Sequence, residues 1–141
     1  MSAQVSDVVR EAAVSVETET TAADAIAAVQ GYTPAPDGVA VYYVYVTEDE
    51  KLVGVVSMRE LVNAKNDVPV SEIMTSDLVS VLANDSLQHT IRRVIDERFA
   101  VLPVVDEHEQ FLGVIRASDV IDAMDEQATK QLFEQAGFWF G

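Results

Sequence analysis

Cysteine is absent from the 141 residues, which excludes disulfides, thiolate metal ligands and thiol nucleophiles. Positive charge is scarce. Lysine occurs only at Lys51, Lys65 and Lys130, and nine Lys plus Arg face 24 Asp plus Glu for a formal net charge of −15. Such a surface repels nucleic acid and anionic lipid. It suits either a salt-loving organism or simple solubility. Long apolar runs are missing too: residues 39–46, among the longest, fall far short of the ~20 that a membrane helix needs. No charged segment leads into an apolar one at the start, so no secretory signal is predicted and a cytoplasmic location is expected. The two histidines, His89 and His108, stand apart from any partner with metal-ligand spacing. Neither a Gly-rich phosphate loop nor a nucleophile elbow occurs. Nothing makes a case for catalysis.

What the chain does have is a repeat. It is 49% hydrophobic, enough for a real core. YYVYVTEDEKLVGVVSMRELVNA, at 42–64, aligns without a gap on VLPVVDEHEQFLGVIRASDVIDA, at 101–123, with Gly54 on Gly113 at an offset of 59. Upstream, Val14-Ser15-Val16 matches Val79-Ser80-Val81 at an offset of 65. The difference predicts a six-residue insertion in the first copy, and GYTPAPDG at 31–38 has the Gly and Pro density of a surface loop.

Each copy reads as strand, helix, strand, strand, helix. In the second, 79–82 is a short branched strand, and Asp85 and Ser86 are suitable caps for a helix with Leu87, Ile91, Val94 and Ile95 on one face. Strands at 101–105 and 111–115 follow around an acidic turn, and a helix from about 117 to 128 closes the unit. The first copy predicts a helix at 21–30 and strands at 39–46 and 51–56. The fold class is thus α/β (α+β), with repeats at 5–66 and 67–130 and a tail at 131–141. A three-stranded sheet covered on one side leaves an apolar face, so the copies should pack on each other and leave ligand clefts between them.

This order, with LPVVD at 102–106, Gly113 to Ile115 and the linker EIMTSDLVSV at 72–81, resembles a tandem pair of CBS (cystathionine-β-synthase) domains. YYVYV with its acidic turn, KLVGVVSMRELVNAKNDVPVSEIM and RFAVLPVVDEHEQFLGVIRASDVIDAMDEQATKQL are similar to the cytosolic regulatory domain of MgtE-type magnesium transporters. The resemblance implies a homodimer and a membrane transporter domain, in the same or a partner chain, as partners. It makes the sequence an excised or free-standing piece, and implies gating by magnesium bound among carboxylates.

Two sites follow. The tetrad Ser57-Met58-Arg59-Glu60 stands where nucleotide-binding CBS domains carry a hydroxyl residue, two variable residues and an acid for the ribose. The same Ser-x-x-Glu pattern is a helix capping box, and both roles stay open. The resemblance adds Tyr42, Val79 and Phe99, with Arg59 suited to phosphate, as an ATP or AMP pocket. In the second copy Asp119 matches the acid, but Arg116 replaces the hydroxyl and could fill the cleft. The other site is acidic: Asp119, Asp122 and Glu126, near Asp125, lie along one helical face and suit Mg2+ with several waters, or are a solvated face. Ser86, Gln88, Arg98, Gln127 and Lys130 stand where the resemblance would expect further acids. Phe138, Trp139 and Phe140 in the tail are expected to pack on a partner or on the domain itself. The function implied is a magnesium transporter's regulatory domain, sensing cation, adenine nucleotide or both. The alternative is a free-standing adenine-nucleotide sensor acting on a partner protein.

Overall fold

A computed structural model describes residues 4–10, 14–31, 43–97 and 101–123. Two three-stranded sheets, ordered β1-β2-β3 and β4-β5-β6, make up its centre. The first unit comprises β1 (Ser15–Glu17), α1 (Ala22–Gln30), β2 (Tyr43–Glu48), β3 (Lys51–Ser57) and α2 (Met58–Asn63). The second comprises β4 (Val81–Leu82), α3 (Leu87–Glu97), β5 (Val101–Val105), β6 (Phe111–Arg116) and α4 (Ala117–Ala123). In each sheet the first strand runs parallel to the second, and the second antiparallel to the third. Helix starts follow the sequence: Thr21 Oγ1 accepts from the Asp24 N–H at 3.2 Å, and Ser86 Oγ from the His89 N–H at 3.1 Å. Residues 39–42, the rest of the predicted loop from 32, the end of the predicted last helix and the aromatic tail lie outside the described residues.

Each unit has its own core on the helix side of its sheet, and each core borrows from the other unit. Val14, Ala22, Ala25, Val44, Val46, Val56 and Leu61 pack with Val70. Val81, Leu87, Ile91, Leu102, Val104, Ile115 and Val120 pack with Val5. Val5 and Val70 begin equivalent 3-10 turns, Val5–Asp7 and Val70–Glu72, and both are fully buried. The backbone repeats the exchange: Val5 N–H donates to Asp85 at 2.9 Å, and Val70 N–H to Thr20 at 2.8 Å. Farther along, Arg10 makes two backbone hydrogen bonds with Val114, and Thr75 two with Val55. Every one of these pairs is related to its twin by the 65 and 59 offsets. Each buried valine stabilises the neighbouring unit by ~1.5–3 kcal/mol, so the units fold as one.

The gapless alignment of the two hairpins needs a correction. Tyr45 faces Val55 across its ladder, whereas Val114, the counterpart of Val55, faces Pro103. The structural offset for β2 and β5 is therefore 58, not 59, and the insertion after α1 is seven residues. The missing residue reappears in the turns. Asp49 and Glu50, with φ of 51° and 70°, form a two-residue turn of the type that needs positive φ at both positions. The second hairpin instead spends three residues, 107–109, and only Glu109 has positive φ, at 66°. There Asp106 Oδ1 accepts the His108 and Gln110 N–H groups at 2.8 and 2.9 Å. Replacing Asp49-Glu50 by Asn-Gly is expected to raise unfolding stability by about 1 kcal/mol in urea titration, because those residues enter left-handed backbone at less cost.

Candidate functional site

The sheets meet through the faces turned away from the helices. Since Val44 and Val46 enter the first core, strand alternation turns Tyr43 and Tyr45 to the other unit, and Val101 and Pro103 turn likewise. Phe111 donates its N–H to Glu50 at 2.9 Å and Leu52 donates to Glu109 at 3.0 Å, so the hairpin tips are stitched together. Below them Tyr45 packs on Phe111 with ring centroids 5.0 Å apart. A cleft of about 190 Å³ remains, lined by Tyr43, Tyr45, Val55, Asp77, Leu78, Val79, Val101, Leu102 and Pro103. Tyr45 is 5% exposed, and burial, with Tyr43 adding, pushes its phenol up to about 12. It stays a neutral hydrogen-bond donor at physiological pH. The cleft's chemistry is apolar and planar, with a few polar groups at fixed places.

Of the expected nucleotide residues, Val79 lines this cleft. Ser57 is the ladder partner of Tyr43, so the tetrad begins at the cleft wall. The capping reading of that tetrad is present in full: Ser57 N–H donates to Glu60 Oε1 at 3.0 Å, and Glu60 N–H to Ser57 Oγ at 3.1 Å. The cap engages Glu60 Oε1, and Arg59 is exposed beside it. Tyr42 and Phe99 lie outside the described residues.

The second tetrad is arranged differently. Arg116 Nε and Nη2 donate to the Asp119 carboxylate at 2.9 and 2.8 Å, a two-pronged grip. Arg10 Nε and Nη2 reach the same two oxygens at 2.7 and 3.2 Å from the N-terminal segment. These hydrogen bonds, Arg116's first and Arg10's second, hold the Asp119 carboxyl at about 2, well below the usual carboxylate range. Beside it opens a hollow of about 390 Å³ lined by Asp7, Val8, Val9, Arg10, Asp119, Asp122 and Ala123.

Of the expected metal ligands, Asp119 thus gives both oxygens to guanidinium groups, and Asp122 is exposed at the same hollow. Glu126 lies outside the described residues, as do Asp125, Arg98, Gln127 and Lys130. Among the described residues no three His, Asp or Glu side chains gather in a way that could hold a metal ion. The donor set as arranged does not fit magnesium. His89 is exposed on α3, and His108, exposed in its turn, has Nε2 3.5 Å from Glu107.

Sequence reasoning missed Arg10, Tyr45, Asp77 and Pro103. The 65 offset pairs Arg10 with Thr75, which marked its segment as equivalent to the linker. Nothing local connects Arg10 to Asp119, 109 residues away.

Comparison with protein-family models matches the CBS domain at residues 5–67 and 70–126. The magnesium transporter MgtE of Thermus thermophilus is 36% identical over 99 residues, 70% of this chain and 22% of the relative. A crystal structure of the cytosolic domain of the Mg2+ channel MgtE in complex with ATP superposes with a TM-score of 0.73 at 31% identity, covering 83% of this chain and 47% of that one. The soluble part of a magnesium transporter gives 0.77 at 28% identity, over 89% and 48%. This chain spans about a fifth of the transporter's length. Among the described residues no helix is long and apolar enough to cross a membrane.

Proposed function

The chain belongs to the CBS domain family, and from that premise we propose that it is a regulatory module that takes an adenine nucleotide between its two units and reports occupancy to a magnesium transporter of the MgtE kind. The observation that carries this reading is the cleft at Tyr43, Tyr45, Val79 and Pro103, with Ser57 to Glu60 beginning at its wall. Its apolar, planar lining suits a purine ring, and Glu60 and Arg59 supply an acceptor for ribose hydroxyls and a cation for phosphate. The relatives lend the transporter context: one is named a magnesium transporter, and another was solved with ATP. The units are tied at the hairpin tips and by exchanged segments, so a ligand between them acts on both. Pairing with a second copy belongs to this proposal. Direct magnesium sensing at Asp119 and Asp122 is less well supported, because Asp119 would first have to leave two arginines.

Calorimetric titration with AMP and ATP, in high potassium chloride to screen the acidic surface, tests the reading. Saturable binding is expected. Glu60→Gln keeps the cap, since Gln also completes a capping box, and should weaken nucleotide binding about tenfold by removing the charge on the ribose acceptor. Absence of saturable binding by either nucleotide would sink the proposal. Magnesium binding alone, lost in Asp122→Asn, would replace it with an ion sensor.

A further inference from the structure

The two units differ at one backbone position in a way that bears on the ligand. In the first, the Tyr45 N–H donates to the Val14 carbonyl at 3.0 Å and extends the parallel pairing of β1 upstream. The counterpart of Val14 is Val79, and the counterpart of Tyr45 is Pro103, which faces Val114 as Tyr45 faces Val55. Proline has no N–H to give. The pairing stops short: β1 spans three residues, Ser15–Glu17, but β4 only two, Val81–Leu82. The expected strand at 79–82 is shortened for this reason. A proline in a central strand is unusual. It is tolerated here because its nitrogen points toward the place where β4 has not yet begun.

Val79 is left with a half-buried carbonyl that accepts no hydrogen bond among the described residues. Val79 and Pro103 both line the cleft, and so does Asp77, a second acceptor two residues upstream. A buried acceptor without a partner favours whatever brings a donor.

We propose that Pro103 is a specificity-determining residue: by withholding an N–H from Val79 it leaves an acceptor for an exocyclic amine, so the cleft takes an aminopurine in preference to an oxopurine. This rests on the nucleotide reading above and names the feature of the base that is read. An oxopurine would set its 6-oxygen against the Val79 carbonyl, acceptor against acceptor. In the equivalent position of the first unit Val14 is already satisfied by Tyr45, so no such acceptor exists there.

AMP and IMP differ at that edge and serve as probes, titrated into the whole chain and into Pro103→Val. The native chain should prefer AMP by about tenfold or more, and the variant should lose most of that preference by losing AMP affinity. Hydrogen exchange should find the new amide at position 103 protected without ligand, as an N–H bonded to Val79 would be. Because the variant could fold poorly, a 13C-labelled Val79 carbonyl in the native chain gives a second reading: AMP should shift its resonance and IMP should not. If the native chain binds neither nucleotide, this inference and the nucleotide reading fall together. If it binds AMP but the variant keeps the preference, or the Val79 resonance ignores AMP, Pro103 is not the determinant and the nucleotide reading stands.

Discussion

Asp119→Ala is expected to lower the unfolding free energy by about 2–3 kcal/mol, measured by urea denaturation at neutral pH. The carboxylate side chain is 15% exposed and accepts four N–H groups from two arginines. Removing it leaves Arg116, also 15% exposed, and Arg10, 39% exposed, facing each other without the anion between them. Breaking a buried pair by deleting one partner costs ~3–5 kcal/mol, and the partial exposure of Arg10 reduces that figure. The effect is also structural, since Arg10 belongs to the segment that carries Val5 into the second core and bonds Val114. Loosening the triad should raise hydrogen exchange at the amides of Arg10 and Val114. An Asp119→Ala chain as stable as the native one would mean that the arginines find equivalent partners elsewhere.

The same triad dictates a pH dependence. Asp119 titrates near 2 in the folded chain and near 3.8 when free. Its folded value is the lower one, so its contribution is fully present above pH ~4 and is lost as pH falls through 2. Set against Asp119→Asn, the native chain should lose about 1–2 kcal/mol of its advantage between pH 5 and pH 2, after discounting for solvent screening.

The repeat was legible because it is written in residue types: two hairpins, two early glycines, and valines with Ser between them. Register within the hairpins was not. Strands β2 and β5 are apolar on both faces, YVYV against VLPV, so a one-residue slip changes which side chains face the core without changing the pattern. The slip was hidden in turn chemistry, where Asp49-Glu50 and Glu107-His108-Glu109 look alike as acidic stretches and differ in backbone handedness. The candidate site was half legible. Ser57, Glu60 and Val79 stood in recognisable motifs, while Tyr45, Asp77 and Pro103 joined them only through the packing of one sheet on the other. Asp119 illustrates the limit differently. Helical spacing put it beside Asp122, but its charge is answered by an arginine from the opposite end of the chain.

Gly54→Val should cost about 2–3 kcal/mol, and Met74→Ala in the same chain should restore at least ~1 kcal/mol of it. A Cβ at position 54 would press on Met74 Sδ and lie 2.9 Å from its Cγ and 3.1 Å from its Cβ. The thioether end can swing away, but the contact at Cβ moves only with the backbone. That backbone is the exchanged linker, anchored by Val70 in the first core and by Thr75 on Val55. The glycine therefore serves the junction between units, and a double-mutant cycle should show strong coupling between positions 54 and 74. Gly113, its repeat partner, makes the contrasting case. Its φ of 149° lies in backbone that favours glycine, so Gly113→Val should be costly whatever stands opposite. If Met74→Ala fails to rescue Gly54→Val, the cost lies within the sheet and the linker is not what the glycine accommodates.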